Sequence, residues 1–207
     1  MPRLFPMFLK LEGRRVLVVG AGAIAEPKIA DLLDTGARVK VIAVEGTDSV
    51  VRWARRGLIE LEEREFVAHD LHGVDLVIVA TSSQVLNKLV FFEAQKQKVL
   101  CNVMDVVEQC DFFYPAIVKR GDLQIAISTS GQSPSLAQRL RRQLERQFGL
   151  TYARWVADLG ETRREVLKSR LTAEQKHELL KSLASREAFE AMVARSENAR
   201  HGKQEGA

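Results

Sequence analysis

Residues 15–25 read RVLVVGAGAIA, a stretch in which a short apolar run leads into a glycine-rich turn. The run Arg15–Val19 is typical of a strand buried on both faces, and Ile24–Leu33 has the apolar spacing of a helix. In the turn, Gly20, Gly22 and Ala25 match the G-x-G-x-x-G/A pattern of dinucleotide-binding units. The stretch therefore predicts a Rossmann-type site for NAD near the start of the chain.

The turn has a physical reason for each small residue. The first glycine permits the tight turn, the second lets backbone approach a pyrophosphate, and the alanine lets helix and strand pack closely. Because the helix start offers free N–H groups to phosphates, Ala23 and Ile24 join the predicted cofactor-binding residues. Pro27 departs from the pattern, and we expect a local kink where it disturbs the helix. The alternative is a tight turn without a ligand.

Strands and helices alternate after this unit. Apolar runs predict strands over Arg38–Ala43, Leu58–Glu62, Val74–Ala80 and Lys98–Met104, with helices over Ser49–Arg56 and Val85–Gln95. Such alternation indicates an α/β fold with a Rossmann-type parallel sheet and right-handed crossovers. Phe112–Val118 and Leu123–Ser128 then predict a hairpin, which cannot close a parallel sheet and must pack elsewhere or pair with a second copy.

The remainder of the chain is predicted to be helical. Ser133 can cap a helix that runs to about Phe148, with Pro134 in its first position. Thr172 and Gln175 form the capping pattern of another helix. The predicted division is a Rossmann domain over 1–112, a hairpin and helix segment over 113–150, a helical domain over 151–195 and a disordered tail over 196–207.

Polar side chains follow the predicted strands at the edge where α/β sheets bind ligands. Glu45 could accept both hydroxyls of the adenosine ribose and would repel a 2′-phosphate, which favours NAD over NADP; a solvated loop glutamate is the alternative. Thr81 and Ser82 suit contact with a dinucleotide. Asn102 and Asp105 close another strand, and Asp105 lies where a reacting group would be, although a lone aspartate there is more often a turn residue.

The basic charge is concentrated in one segment. Residues 119–147 hold six basic and two acidic residues, so they carry a charge equal to the net charge of the whole chain, +4. A Ser/Thr/Gly loop at a helix N-terminus, backed by arginines, is typical of an anion site. The predicted substrate-binding residues are Ser128, Thr129, Ser130, Gly131, Arg139 and Arg141. A solvated helix face is the alternative. The sequence contains no recognisable nucleic-acid-binding motif, which argues against nucleic acid as the partner.

Other classes are disfavoured by the sequence. No apolar run approaches the ~20 residues of a membrane span, and the N-terminal stretch is too broken for a signal peptide. We therefore expect a cytoplasmic protein. Cys101 and Cys110 have neither CxxC spacing nor a nearby histidine, so reduced thiols are expected rather than metal ligands.

Six segments together carry a family resemblance. They are Phe5–Leu9, Val16–Gly22, Ala80–Asn87, Cys101–Asp105, Phe113–Ala116 and Ile127–Ala137. In this order they resemble the precorrin-2 dehydrogenase/sirohydrochlorin ferrochelatase family of siroheme synthesis. The resemblance covers residues 1–150 well and the helical remainder loosely, and it implies that residues 113–150 are a dimerisation and substrate-binding segment.

The resemblance implies a function and a partner. It implies a homodimer in which NAD⁺ takes a hydride from precorrin-2, a polycarboxylate tetrapyrrole, to give sirohydrochlorin. It implies that Asp105 acts as general base or orients the substrate. Some members also insert Fe²⁺ with the same aspartate, and the sequence leaves open whether this chain does so. The alternative hypothesis is a non-catalytic, NAD-sensing Rossmann module in an oligomeric regulator.

Overall fold

The computed structural model describes residues 3–194. These residues form two compact units, one ending at Tyr114 and the other beginning at Pro115. Arg195 and the predicted tail over 196–207 lie outside the described residues. The two units are described separately below.

The first unit is built on a parallel sheet. Its strands and helices are β1 (Arg15–Ala21), α1 (Ala25–Leu33), β2 (Arg38–Gly46), α2 (Asp48–Arg55), β3 (Glu60–Glu63), β4 (Leu76–Val79), α3 (Gln84–Gln97) and β5 (Leu100–Val103). The five strands lie in the order β3-β2-β1-β4-β5, and every pairing is parallel. The predicted α/β fold with a Rossmann-type sheet is thus confirmed.

The order of the strands indicates where a ligand would bind. The chain winds outward from β1 in one direction to β3, then returns past β1 to β4 and β5. The direction of winding therefore reverses between β1 and β4. In open α/β sheets, ligands bind beyond the carboxyl ends of the strands at such a reversal.

Alternating side chains of the central strands form a core on each face of the sheet. Val16, Val18 and Ile78 pack with Ile29 of α1 on one face. Leu17, Val19, Val77 and Val79 pack with Val90 of α3 on the other face. Strands buried on both faces appear as continuous apolar runs, which is why the sequence predicted β1 and β4.

Two boundaries differ from the prediction near the glycine turn. Strand β2 continues to Gly46, because a shift of register between Val19 and Ala21 keeps it paired with β1; Glu45 consequently lies inside the strand. Helix α1 begins at Ala25 rather than at Ile24. Pro27 is then its third residue, where an N–H has no partner within the helix, so the expected loss of a helical hydrogen bond does not arise.

The second unit contains a hairpin and helices. They are β6 (Ala116–Arg120), β7 (Leu123–Ile127), α4 (Pro134–Gln147), α5 (Thr151–Lys168) and α6 (Ala173–Leu183). The hairpin is an antiparallel two-stranded sheet of its own. Ser133 caps α4, and Thr172 with Gln175 forms the capping box of α6, as predicted. Residues 186–194 are again helical.

The hairpin begins later than predicted. Phe112 is not in a strand, and its carbonyl oxygen accepts a hydrogen bond from the side chain of Asn102. Phe112 and Tyr114 instead pack against the core of the first unit. Pro115 has no N–H to give to a ladder, so the strand starts directly after it.

Within the described residues, none of the helices has the length and apolar character that crossing a membrane would require.

Candidate functional site

Strands β1 and β4 approach each other closely at the point where the winding reverses. Gly20 has a φ of +104°, and a Cβ built on it would lie 2.3 Å from the carbonyl oxygen of Ala80 and 3.2 Å from the side chain of Thr81. Only glycine can therefore occupy this position. The predicted cofactor residues Gly20 and Thr81 are thus neighbours.

The turn after β1 leaves three backbone donors available. Among residues 3–194, the N–H groups of Gly22, Ala23 and Ile24 donate no backbone hydrogen bond. Those of Ala25 and Glu26 both bond to the carbonyl oxygen of Gly22, each at 3.0 Å. Free N–H groups at a helix start are the donors that bind a pyrophosphate.

The space around this turn suits a ligand. A Cβ on Gly22 would meet nothing within 4 Å, and Ile24 is 52% exposed although it is a large apolar residue. Ala25, by contrast, is completely buried against β1, as close packing of helix and strand requires. The residues present therefore fit a dinucleotide.

Two acidic residues, Glu26 in the first turn of α1 and Glu45 in the last part of β2, lie near the loop that follows β2. The hydroxyl of Thr47 donates to Glu26 Oε2 at 2.7 Å. Hydrogen bonds from Thr47 and Ser49 lower the pKa of Glu26, so its carboxylate stays charged. Glu45 precedes Thr47 by two residues and is exposed at the end of β2. The sequence analysis named Glu45 and did not name Glu26, whose only signal is that it is an acid in the first turn of α1.

Thr81 is held by α3. Its hydroxyl donates to Asn87 Oδ1 at 2.7 Å, and Asn87 Nδ2 donates back to the Thr81 carbonyl oxygen at 3.3 Å. The neighbouring Ser82 is exposed, while Ser83 caps α3. The Thr81 side chain is thus fixed, and Ser82 is the accessible hydroxyl of the pair named from the sequence.

Asn102 has an unused acceptor in a buried position. Its Nδ2 donates to the Phe112 carbonyl oxygen at 2.7 Å and to Cys110 Sγ at 3.4 Å. Its Oδ1 has no hydrogen-bond partner in the described residues, although the residue is only 4% exposed. A buried acceptor without a partner is costly, which marks Asn102 as a position where a donor is missing.

Asp105 is presented by a strained turn. It follows β5 and has a φ of +63°, a left-handed conformation that aspartate adopts more readily than most residues. Its side chain is exposed at the carboxyl edge of the sheet. Backbone strain of about 1–3 kcal/mol at such positions is often associated with functional sites.

The two cysteines are free thiols, with Cys101 buried and Cys110 half-buried. Burial raises the pKa of Cys101 to about 12, and the nearby charge of Asp111 adds to the effect. Burial also raises the pKa of Cys110. Because the thiolate is the reactive form, neither cysteine suits nucleophilic or metal chemistry.

The predicted anion-binding loop lies in the second unit. It joins β7 to α4, and two of its residues, Ser130 and Gly131, have φ values of +51° and +79°. Ser128 Oγ accepts from the Ser130 N–H at 3.1 Å, and Thr129 Oγ1 accepts from the Ser133 N–H at 3.1 Å. These hydroxyl oxygens therefore shape the loop itself.

The two arginines predicted to bind substrate differ in their surroundings. Arg141 forms an ion pair with Glu145 and a hydrogen bond to Gln138 at 3.0 Å. Arg139 is exposed and has no ion pair among the described residues. Arg139 is consequently the more available of the two cations for an anionic ligand.

Residues 3–194 contain no group of three or more histidine, cysteine, aspartate or glutamate side chains that could hold a metal ion. Asp105 has no such neighbours.

A glycine turn with free N–H groups, at the reversal point of a parallel sheet, defines a Rossmann-type dinucleotide-binding protein. The chain matches the NAD(P)-binding family over residues 7–116 and belongs to that family. Residues 120–147 match a second family, described as sirohaem biosynthesis protein central. Together the two matches cover the candidate site and the basic segment.

Curated relatives and a solved structure agree with these matches. The siroheme synthase of Methylococcus capsulatus is 42% identical over 166 residues, which are 78% of this chain and 35% of that protein. Siroheme synthase 2 of Yersinia enterocolitica is 43% identical over 68% of this chain and 30% of its own length. The chain thus spans about a third of these relatives. The solved structure of SirC, a precorrin-2 dehydrogenase, has a TM-score of 0.83 and 29% identity over 97% of this chain and 100% of its own.

Proposed function

We propose that this protein oxidises precorrin-2 to sirohydrochlorin with NAD⁺, a step of siroheme biosynthesis. The observation that carries the proposal is the cradle of free N–H groups at Gly22, Ala23 and Ile24. It lies in a chain that shares its fold over 97% of its length with a precorrin-2 dehydrogenase.

In this proposal the glycine turn holds the cofactor. The N–H groups of Gly22, Ala23 and Ile24 bind the pyrophosphate, and Glu45 accepts the hydroxyls of the adenosine ribose. Glu26 adds a second negative charge next to the loop that follows Glu45. Two carboxylates at this end of β2 would repel a 2′-phosphate, which supports NAD over NADP.

The nicotinamide end of the cofactor is assigned to the carboxyl ends of β4 and β5. Thr81 and Ser82 line one side, and Asn102 offers its unused Oδ1 as an acceptor. The bound NAD⁺ supplies a two-electron acceptor for a hydride. The macrocycle loses one hydride and one proton, so a base must take up the proton.

Asp105 is assigned either as the base that takes up this proton or as the group that orients the substrate for proton loss. Its exposed carboxylate lies two residues beyond the end of β5, at the edge to which the nicotinamide is assigned. The carboxylates of the substrate are assigned to the loop that joins β7 to α4 and to the exposed Arg139 of α4. These residues are Ser128, Thr129, Ser130, Gly131 and Arg139, with Arg141 in a secondary part because Glu145 already pairs with it.

The assembly and the setting are also proposals. We infer a homodimer, since the hairpin of β6 and β7 forms only a two-stranded sheet within one chain and such ribbons gain stability from further partners. A biosynthetic enzyme without a membrane-spanning helix in residues 3–194 suits a cytoplasmic location. Asp105 is the residue that we assign to Fe²⁺ insertion, the second activity that the family resemblance implies for some members.

The experiment compares the wild type with Asp105→Asn. The variant should lose about a hundredfold or more in turnover of enzymatically prepared precorrin-2, as expected for removal of a general base. Its affinity for NAD⁺ should be unchanged, because Asp105 is not part of the glycine turn. A pH–rate profile that loses its acidic limb in the variant would identify proton transfer rather than orientation.

Glu108→Gln is the matched control, because it removes one negative charge from an exposed position three residues further along. Its turnover should equal that of the wild type. Equal turnover by Asp105→Asn would remove Asp105 from the mechanism. Binding of NAD⁺ without any turnover by the wild type would instead favour the sensing module.

A further inference from the structure

A cavity of about 610 Å³ lies at the amino edge of the sheet, opposite the edge that holds the glycine turn. Arg15 and Arg38, the first residues of β1 and β2, line one side of it. His69 and His72, from the short helical turn that precedes β4, line another. All of these residues belong to the first unit.

The two arginines are side by side. Arg15 and Arg38 are directly paired in the register of the adjacent strands, so their side chains leave the same face of the sheet. Neither guanidinium has an ion pair in the part of the chain that the structure describes. Like charges at paired positions repel each other, and a bound anion would remove that repulsion.

The nearby acids are already engaged. Lys40 Nζ forms ion pairs with Glu60 Oε1 at 3.5 Å and with Glu62 Oε1 at 2.6 Å. Asp70 lines the cavity but accepts two hydrogen bonds from Arg64. Asp75 attracts Arg15 only at longer range; it accepts from Arg14 and from the backbone N–H of Arg15, each at 2.9 Å. The cavity therefore keeps an excess of positive charge.

Arg15 is exposed, and its guanidinium lies against Gly73. A Cβ built on Gly73 would be 2.3 Å from Arg15 Nη2. A side chain at residue 73 would thus displace the arginine. Position 73 has a φ of +69°, which also favours glycine.

The remaining walls suit a flat molecule. The rings of His69 and His72 are stacked, 5.6 Å apart and within 4° of parallel. Val39, Ile59 and Val74 give the cavity an apolar side. A guanidinium pair binds phosphate or carboxylate oxygens through two parallel hydrogen bonds, and the imidazoles offer both flat faces and N–H donors.

We propose that this cavity is a second binding site, for a small planar molecule that carries two or more phosphate or carboxylate groups. The site is independent of the dinucleotide edge and of the proposed dehydrogenase activity. Its anionic groups lie on Arg15 and Arg38, and its planar body lies against His69 and His72.

Titration calorimetry with two probes tests the proposal, with NAD⁺ at saturation so that the glycine turn is filled. ADP represents a phosphate source, and benzene tricarboxylate represents a carboxylate source. The wild type should bind at least one probe, and the probe that binds names the source. Binding of neither probe would overturn the proposal.

The double variant Arg15→Gln/Arg38→Gln should weaken the bound probe by about tenfold or more, the loss expected when charge-assisted hydrogen bonds are removed. Arg163→Gln/Arg164→Gln is the matched control, because it removes the same charge from exposed positions on α5. The control should bind as the wild type does. Equal weakening in both double variants would mean that only net charge matters and would overturn the site.

Gly73→Ala gives a second test without a change of charge. The added methyl group displaces Arg15, so the bound probe should again be weakened while Gly121→Ala, also at a positive φ, leaves binding unchanged. Unfolding curves show whether each variant is folded at the temperature of the titration. Unchanged binding by a folded Gly73→Ala and by the Arg15→Gln/Arg38→Gln variant would place the probe elsewhere.

Discussion

Gly20 and Gly22 are only two residues apart, but glycine is needed at each position for a different physical reason. Gly20 is required by the protein itself, because β4 leaves no space for a Cβ and its φ is positive. Gly22 faces open space and has no positive φ to explain it. Its lack of a side chain is therefore explained best by a ligand that approaches the backbone.

Alanine substitutions should distinguish the structural requirement for Gly20 from the ligand-binding requirement for Gly22. Gly20→Ala should lower the free energy of unfolding by about 2–4 kcal/mol, since strain and overpacking both apply. Gly22→Ala should leave stability within about 0.5 kcal/mol and weaken NAD⁺ binding about tenfold or more. Urea unfolding and cofactor titration measure the two effects. A Gly22→Ala protein with normal affinity for NAD⁺ would contradict the assignment of the turn.

Asp70 illustrates how a single charge affects stability with pH. Burial alone would raise the pKa of Asp70, but hydrogen bonds from Arg64 and from the Val67 N–H outweigh it and lower that pKa. A lowered pKa in the folded state contributes stability above the unfolded value, near pH 4, and that contribution is lost as the pH falls further.

Asp70→Asn should therefore destabilise the protein by about 1–3 kcal/mol at neutral pH and by progressively less below about pH 4. Asp122→Asn, at the exposed tip of the hairpin, serves as the control and should have no effect at either pH. Unfolding free energies measured across this range provide the comparison. A deficit for Asp70→Asn that does not change with pH would show that its charge is not the cause.

At the scale of elements, Arg120 of β6 connects the hairpin to the end of α4. Its Nε donates to the carbonyl oxygen of Phe148 at 2.8 Å, and its Nη2 donates to that of Glu145 at 3.1 Å. These are carbonyl groups that the end of a helix leaves without partners. Arg120 was counted only as part of the basic segment, yet its position is structural.

Arg120→Lys should lower the free energy of unfolding by about 1–2 kcal/mol, because an ammonium group cannot reproduce the fork of the guanidinium. The same exchange at the exposed Arg139 should change it by less than about 0.5 kcal/mol. Thermal unfolding of both variants gives the answer. Equal stability of the two variants would mean that the contacts of Arg120 contribute nothing.

Elements with strong local signals were predicted well, and long-range contacts were not. The apolar runs of β1 and β4 and the caps at Ser133 and Thr172 can be recognised within a few residues of sequence. The bond between Thr47 and Glu26 joins residues 21 apart. That hydrogen bond forms only once the helices have packed on the sheet. The same is true of the two hydrogen bonds between Asn87 and Thr81.

On the scale of the whole molecule, the residues proposed to bind the cofactor and those proposed to bind the substrate belong to different units. The dinucleotide residues lie in the unit that ends at Tyr114, and the basic loop and helix lie in the unit that begins at Pro115. The family matches follow the same division, over residues 7–116 and 120–147. In the proposed function, the first set of residues binds NAD⁺ and the second binds the carboxylates of the substrate, and neither motif alone indicated precorrin-2.

The most direct test of the central proposal is the stoichiometry of the reaction without oxygen. With precorrin-2 and NAD⁺, the protein should form one NADH for each sirohydrochlorin, as a two-electron oxidation requires, and NADP⁺ should be a poor substitute. Simultaneous absorbance measurements of both products give the ratio. Sirohydrochlorin that forms without NADH, or a folded, NAD-binding protein that forms neither product, would contradict the proposed function.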